Sequence, residues 1–327
     1  MSTKKRILSG MRPTGKLHVG HLVGALENWV ALQQDYQNFH LIADYHALTT
    51  NLDTSRLYQN SLDMLIDWLA AGIDPEHSPM FRQSQIKEHT ELHLLFSMLI
   101  TSARLERNPT VKEQVRDLNI ENVSYGHLGY PVLQAADILL YKGELVPVGE
   151  DQLPHIEITR EIARRFNTQY KSVFPEPEGK LTKFARLPGL DGKRMSKSLG
   201  NVILLSDSPD EIKKKMSQAV TDPQKIRRND PGHPEVCLVF YAYHQKFNQA
   251  EVPQIERDCR SGTLGCVDCK RNAAARISDY LGPIREKRAF YEAHPKEVKN
   301  VLCNGETRAR DVAKKTMAEV HDAMGIG

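Results

Sequence analysis

RPTGKLHVGH, residues 12–21, is the stretch that decides the fold of this chain. A short apolar run, Ile7-Leu8, comes before it, and Val23, Leu26 and Val30 recur at helical spacing after it. This order predicts a strand, a turn and a helix. A helix N-terminus offers unpaired N–H groups and the positive end of the helix dipole, so the turn is a candidate phosphate site.

Two histidines and a glycine make this turn a candidate for catalysis. His18 and His21 are three residues apart and can face the same side of the first helical turn. Gly20 lies between them and lets a bulky group approach the backbone. Two imidazoles in this position can donate hydrogen bonds to polyphosphate oxygens. The alternative is a surface turn that happens to contain two histidines, because short motifs often occur by chance.

A second stretch, GKRMSKSLGN (residues 192–201), is a cationic loop bracketed by glycines. It carries Lys193, Arg194 and Lys197 together with two serine hydroxyls. Such a loop can close over a pyrophosphate and neutralise its charge as it leaves. The alternative is a solvated basic loop without a ligand.

Apolar runs alternate with helical patterns through the first two thirds of the chain. Residues 39–43 and 145–148 are predicted strands, and residues 202–205 are a candidate closing strand. The alternation predicts an α/β fold with a doubly wound, parallel, Rossmann-like sheet. Ligands bind at the carboxyl ends of such strands. The histidine turn and the segment Gly149-Glu150-Asp151 both follow strands, so we expect both at one crevice.

The pattern changes near residue 206. We expect a nucleotide-binding catalytic domain over residues 1–205 and a smaller, all-helical domain over residues 206–327. The last helix is predicted over Thr307 to Met324 and is expected to pack back on the catalytic domain. The net charge is +3, and this excess falls in residues 206–327, which weakly favours a polyanionic partner there.

The composition is that of an ordinary globular protein, with 40% hydrophobic and 26% charged residues in 327. No apolar run approaches the roughly 20 residues of a membrane-spanning helix. The N-terminal segment, residues 1–6, is charged but no long apolar stretch follows it, so no secretory signal is expected. These features predict a cytoplasmic protein without a membrane partner.

The segment YPVLQAADILLY, residues 130–141, contains one carboxylate, Asp137, in an apolar, helix-prone run. Burying a carboxylate is costly unless it is paired. A ligand that brings an indole N–H or a phenol O–H would satisfy it, and a ligand without that donor would leave it unpaired. The alternative is an aspartate that is paired within the protein.

Together these segments resemble class I aminoacyl-tRNA synthetases. The sequences HVGH and RMSKS are similar to the H-I-G-H and K-M-S-K-S signatures, with Arg194 in place of the first lysine and Lys197 intact. Residues 130–141 and 146–167 resemble the tryptophanyl-tRNA synthetase family, and the resemblance covers residues 5–325. It implies that L-tryptophan reacts with ATP to form tryptophanyl-adenylate, which acylates tRNA(Trp), in a homodimer that uses Mg²⁺ with its ATP.

The resemblance also implies roles for individual residues. His18, His21 and Lys197 would stabilise the transition state. The residues that would contact ATP are Arg12, Pro13, Thr14, Gly20, His21, Gly149, Glu150, Asp151, Leu187, Arg194, Met195, Ser196, Lys197 and Ser198. The residues that would bind the amino acid are His46, Tyr130, Gln134, Asp137 and Gln152, with Asp137 accepting the indole N–H.

Three alternative functions stay open at this point. Gln134 occupies a position where tyrosyl enzymes often have glutamine, so a tyrosyl-tRNA synthetase is the nearest alternative. A small-molecule nucleotidyltransferase of the same fold also uses an H-x-G-H motif. A nucleic-acid-binding regulator that has lost catalysis is the third, and the intact signatures argue against it.

Four of the five cysteines have a spacing that suggests a metal site. Cys237, Cys259, Cys266 and Cys269 are separated by 21, 6 and 2 residues. Four thiolates suit zinc or a four-iron cluster, and the uneven spacing with a single C-x-x-C favours iron–sulfur. The resemblance to a subset of bacterial tryptophanyl synthetases implies a [4Fe-4S] cluster, with Zn²⁺ as the alternative. The other interpretation is four reduced thiols without metal.

Overall fold

The computed structural model describes residues 4–117, 119–181 and 187–327. Its strands are β1 (Arg6–Met11), β2 (Gln37–Ile42), β3 (Met80–Arg82), β4 (Leu145–Val148) and β5 (Glu178–Leu181). Its α-helices are α1 (Val19–His21), α2 (Glu27–Leu32), α3 (Asp44–Leu48), α4 (Leu57–Ala71), α5 (Glu88–Ser97), α6 (Ser102–Glu106), α7 (Pro109–Asp117), α8 (Tyr125–Leu140), α9 (Leu153–Gln169), α10 (Pro209–Ser217), α11 (Gln245–Phe247), α12 (Val252–Arg260), α13 (Cys266–Ala293) and α14 (Pro295–Met324). π-Helical segments cover Leu22–Leu26 and Val239–His244, and short 3₁₀ turns cover Gln83–Gln85, Glu150–Gln152, Lys197–Leu199, Pro234–Val236 and Gln249–Glu251.

The five strands form one parallel sheet in the order β3-β2-β1-β4-β5. The prediction of a doubly wound parallel sheet is therefore confirmed. Residues 202–205 are not one of its strands, so their assignment as the closing strand is wrong. That edge is formed by Glu178–Leu181, and Leu204 instead makes an isolated antiparallel bridge to His18.

The chain divides into two compact units. Among the described residues, the first unit comprises 4–15, 28–117, 119–181 and 294–327, and the second comprises 16–27 and 187–293. The sheet lies wholly in the first unit. The histidine turn and the cationic loop both lie in the second.

The strand order places a topological switch point between β1 and β4, because the connections from these two central strands run in opposite directions. Ligands of doubly wound sheets bind at the carboxyl ends of strands at such a point. In this chain, Arg12 follows β1 and Gly149 follows β4. The carboxyl ends of β2 and β3 lead into α3 and the turn Gln83–Gln85, which lie at the same edge.

Buried apolar side chains from the strands and from α5, α8, α9 and α14 form the core of the first unit. The last helix packs closely on β3, since a Cβ atom at Gly305 would lie 2.0 Å from the Met80 carbonyl oxygen. The Arg82 guanidinium pairs with Glu306 at 2.7 Å beside this contact. Helix α14 begins at Pro295, so the predicted start at Thr307 is wrong by three turns.

The second unit is helical apart from turns and the bridge between His18 and Leu204. Two further backbone hydrogen bonds join the same segments, from Val19 N–H to the Ile203 oxygen and from Leu205 N–H to the Leu17 oxygen. Among the described residues, no helix is both long enough and apolar enough to cross a membrane. The expectation that the N-terminal segment, residues 1–6, is not a secretory signal falls partly outside the described residues, which begin at residue 4.

Candidate active site

The HVGH turn holds two neutral imidazoles side by side, of which His18 is buried and His21 is partly buried. The rings of His18 and His21 are 3.8 Å apart between centroids, and the backbone N–H of His18 donates to His21 Nδ1 at 3.3 Å. Burial, followed by the positive charge of Lys197, lowers the pKa of His18 to about 4. Burial, followed by His18 and Lys197, lowers the pKa of His21 to about 3. Both rings are therefore uncharged at neutral pH and act as hydrogen-bonding groups.

The RMSKS loop reaches the HVGH turn within the second unit. The Lys197 ammonium donates to the Lys16 carbonyl oxygen at 2.9 Å. A Cβ atom at Gly20 would lie 2.7 Å from Met195 Sδ and 3.0 Å from the His18 ring, so the two signatures pack closely at this glycine. The structure thus brings together the three residues expected to stabilise the transition state. Buried His18 Nδ1 has no hydrogen-bond partner among the described residues.

A buried asparagine, which sequence reasoning passed over, organises the RMSKS loop. Asn201 Nδ2 donates to Asp191 Oδ1 at 2.8 Å and to the Arg194 carbonyl oxygen at 3.1 Å. Its Oδ1 accepts from the Ser196 N–H at 2.8 Å, and the hydroxyls of Ser196 and Ser198 are 2.8 Å apart. Arg194 and Ser198 are exposed, Lys197 is partly exposed, and Leu187 is half-buried elsewhere in the same unit. The loop therefore has a fixed base and accessible polar groups.

The remaining nucleotide candidates lie at the carboxyl ends of β1 and β4 in the first unit. After β1, Arg12 and Thr14 are exposed, Pro13 is buried, and Arg12 donates to the Thr50 hydroxyl at 3.2 Å. Gly15 closes this turn with φ of 85°, which favours glycine. After β4, Gly149, Glu150 and Asp151 are exposed, and Asp151 Oδ2 accepts from Gln152 Nε2 at 3.0 Å. Polar groups from both loops are thus open to a ligand at the switch point.

Asp137 is buried on α8 and accepts hydrogen bonds from three side chains. His46 Nε2 lies 2.9 Å from its Oδ2, and Gln83 Nε2 lies 2.7 and 2.9 Å from its two oxygens. His89 Nδ1 lies 2.7 Å from its Oδ1. Burial by itself raises the pKa of Asp137, but the hydrogen bonds and charges of His46 and His89 outweigh it and lower the pKa to about 2. The carboxylate is therefore ionised and paired within the protein.

Tyr130, two turns before Asp137 along α8, belongs to a neighbouring polar group. Its hydroxyl lies 2.8 Å from His155 Nε2, and its ring meets the His46 ring edge-to-face at 6.4 Å. Burial raises the pKa of Tyr130 and lowers the pKa of His155 to about 4. The structure thus brings Asp137, His46 and Tyr130 together. Gln134, on the same helix, and Gln152 are both partly buried.

Sequence reasoning missed Gln83 and His89 as partners of Asp137. Gln83 comes directly after β3, and His89 is a buried residue of α5. The position of Gln83 at the carboxyl end of a strand was a signal that could have found it. His89 stands in an ordinary helical pattern, and no local signal distinguishes it.

The four spaced cysteines lie in one region of the second unit. Burial, followed by the thiols of Cys237, Cys259 and Cys266, raises the pKa of Cys269 to about 12. His244 Nε2 lies 3.3 Å from Cys269 Sγ. In the parts of the chain that the structure describes, no three His, Cys, Asp or Glu side chains are grouped as metal ligands. Cys303 is exposed on α14.

Comparison with known proteins agrees with this geometry. Residues 2–282 match the family described as tRNA synthetases class I (W and Y). The tryptophan–tRNA ligase of Thermotoga maritima is 52% identical to this chain and covers 98% of it and 99% of its own length. The chain belongs to the tryptophan–tRNA ligases. The ligase of Aquifex aeolicus is 44% identical, over 98% of this chain and all of its own length.

A solved member of the family has the same fold. The tryptophanyl-tRNA synthetase of Campylobacter jejuni, in a complex with ADP and tryptophan, superposes with a TM-score of 0.89 at 34% identity. The alignment covers 98% of this chain and 99% of that one. Membership of this ligase family sets aside the tyrosyl, nucleotidyltransferase and regulator alternatives.

Proposed function

We propose that this tryptophan–tRNA ligase joins L-tryptophan to ATP with release of pyrophosphate and passes the resulting tryptophanyl group to tRNA(Trp). The tryptophan carboxylate attacks the α-phosphorus, and the bond to the pyrophosphate oxygen breaks. The terminal ribose hydroxyl of the tRNA then attacks the acyl carbon and releases AMP. Positioning and charge stabilisation suffice for both steps, and Mg²⁺ accompanies the ATP phosphates.

The adenylation step is supported by the contact between the HVGH turn and the RMSKS loop. Neutral His18 and His21 supply hydrogen bonds without adding charge, and Lys197 beside them supplies the positive charge that the leaving pyrophosphate needs. The loop after β1 and the loop after β4 contact the nucleotide, the latter through Glu150 and Asp151. Leu187, Arg194, Met195, Ser196 and Ser198 complete the ATP contacts in this proposal.

The amino acid is held at the Asp137 centre. Asp137 accepts the indole N–H, while His46, Tyr130, Gln134 and Gln152 surround the remainder of the amino acid. The low pKa of Asp137 supports this role, because a carboxylate acceptor must stay ionised at neutral pH. A ligand without an N–H in this position would lack the hydrogen bond to this buried, charged acceptor.

Residues 1–205 would serve catalysis, and residues 206–327 would recognise the tRNA anticodon. Within the latter, we propose that Cys237, Cys259, Cys266 and Cys269 hold a [4Fe-4S] cluster, with Zn²⁺ as the alternative. The donor chemistry supports this proposal, because the thiols of the other three cysteines act on the pKa of Cys269 and thiolates are the usual ligands of such a cluster. Bound there, a cluster would cross-link the segment before the π-helix to α12 and α13. We also propose a cytoplasmic homodimer, and the exposed side chains of Leu94 on α5 and Met98, directly after α5, are compatible with a protein contact.

The test is amino-acid-dependent exchange of pyrophosphate into ATP, run in parallel with tryptophan and tyrosine. We expect exchange with tryptophan and a kcat/KM for tyrosine lower by about 10⁴-fold or more. Equal exchange with both amino acids would contradict the assignment of Asp137. Exchange with neither would contradict the proposed reaction.

A further inference from the structure

The Asp137 carboxylate has few acceptor positions left for a ligand. An ionised carboxylate has about four acceptor sites, all of them on its two oxygens. Gln83, His46 and His89 already donate to these oxygens at 2.7–2.9 Å. Asp137 itself is 2% exposed, so water cannot replace a missing donor freely. The orientation of the carboxylate plane, and with it the direction from which a ligand N–H can approach, therefore depends on these three donors.

His89 is a fully buried donor, and its other ring nitrogen is also hydrogen-bonded. Its side chain is fully buried, whereas the His46 side chain is 12% exposed. Because the Asp137 carboxylate can only accept, the His89 Nδ1 atom carries the proton that it shares with Oδ1. The other ring nitrogen, Nε2, lies 2.9 Å from the Tyr141 hydroxyl.

Tyr141 extends the hydrogen bonds of Asp137 into the core. Burial raises the pKa of Tyr141 well above its ordinary value, so its hydroxyl stays protonated beside His89 Nε2. The Tyr141 ring is fully buried and packs against Phe39 and Phe81, with centroid distances of 4.9 and 5.1 Å. These hydrogen bonds therefore link Tyr141 through His89 to Asp137 and rest on the packed core.

We propose that His89, held against the Tyr141 hydroxyl, is a positioning residue that fixes the plane of the Asp137 carboxylate for approach of the indole N–H and thereby contributes to selection of the amino acid. This inference rests on the proposed role of Asp137. Neither His89 nor Tyr141 needs to touch the ligand. Their effect is expected to appear only with ligands that bring an N–H to the carboxylate.

The experiment compares tryptophan with its benzothiophene analogue, in which sulfur replaces the indole N–H. The quantity measured is the ratio of their kcat/KM values in pyrophosphate exchange. The variants are Tyr141→Phe, which removes one hydroxyl, and His89→Leu, which removes the donor to Asp137. His89→Asn is the conservative partner, because its amide can still donate from near the Nδ1 position.

We expect His89→Leu to lower the ratio by about tenfold, since one hydrogen bond to a charged group is lost. Tyr141→Phe should lower it by about threefold, and His89→Asn should restore it to within about threefold of the unmodified protein. The KM for ATP should stay unchanged. A merely structural role would lower kcat/KM for both ligands equally and leave the ratio unchanged, and that result would overturn the proposal.

The Asp137→Asn variant tests the role of Asp137 separately from the role of His89. If Asp137→Asn abolishes the discrimination while His89→Leu and Tyr141→Phe preserve it, the role of Asp137 stands and the role of His89 is wrong. If Asp137→Asn preserves the discrimination, the assignment of Asp137 is itself wrong, whatever the other variants do.

Discussion

The ammonium nitrogen of Lys197 lies 2.9 Å from the backbone carbonyl oxygen of Lys16, two residues before His18. This hydrogen bond ties the RMSKS loop to the HVGH turn, and the lysine charge contributes to the low pKa values of both histidines. The two signatures are almost 180 residues apart in the sequence. Their contact places one charged donor, the Lys197 ammonium, close to the two neutral imidazoles of His18 and His21.

Replacing Lys197 tests this arrangement. In Lys197→Ala, the positive charge that stabilises the pyrophosphate is lost, so the adenylation rate should fall by about 10²-fold or more. Single-turnover formation of tryptophanyl-adenylate measures this rate directly. Lys213→Ala, which removes an exposed lysine on α10 of the same unit, is the matched control and should leave the rate within about twofold. Normal adenylation in the Lys197 variant would sink the proposed role.

The four spaced cysteines predict the metal content of the purified protein. Protein purified without oxygen should contain about four iron atoms and four acid-labile sulfides per chain. Cys266→Ser should lower the iron content, while Cys303→Ser should not, because Cys303 is exposed on α14 in the other unit. One zinc per chain without iron would favour the tetrahedral alternative. Absence of both metals would contradict a metal site.

The buried side chain of His40 should make the free energy of unfolding depend on pH. Its ring is fully buried between β1 and the indoles of Trp29 and Trp68, and burial lowers its pKa to about 3. The unfolded chain binds a proton at a higher pH than the folded chain does, so stability is full above about pH 6.5 and is lost as the pH falls towards 3. Protonation of His40 in the unfolded chain should therefore lower the unfolding free energy by about 2 kcal/mol at pH 5 relative to pH 7.5.

Urea unfolding of His40→Leu at a series of pH values measures that contribution. The variant should lose about 2 kcal/mol less than the unmodified protein between pH 7.5 and 5. Phe39→Leu, at the neighbouring buried position of β2, is the control and should shift the curve equally at all pH values. Parallel curves for His40→Leu and the unmodified protein would show that His40 does not cause the acid sensitivity.

The contact between α14 and β3 predicts a position that accepts only glycine. A Cβ atom at Gly305 would collide with the Met80 backbone, so Gly305→Ala should lower the unfolding free energy by about 1–3 kcal/mol. Gly126→Ala, at an exposed helical position of α8 with an open Cβ site, should be neutral or stabilise by up to about 1 kcal/mol. Equal stability of the two variants in thermal unfolding would contradict the close packing of α14.

The sequence by itself determined the parallel sheet, the strand–turn–helix at residues 6–32 and the two nucleotide signatures. These features are local, because hydrophobic periodicity and glycine positions reflect the conformation of each segment. The alternation of strands and helices was then enough to require a parallel sheet with crossover connections. It was not enough to identify the closing strand, since residues 202–205 are more apolar than residues 178–181, yet residues 178–181 pair with β4 in the sheet.

The tertiary structure alone decided which polar groups meet. Asp137 read as a single acid in an apolar helix, yet His46, Gln83 and His89 converge on it from α3, the turn after β3 and α5. Periodicity shows which face of an element is buried, but it does not show which other elements share that interior. The hydrogen bonds that keep Asp137 ionised join positions 48 to 91 residues apart, so their formation depends on the packing of α3, α5 and α8 around the end of the sheet.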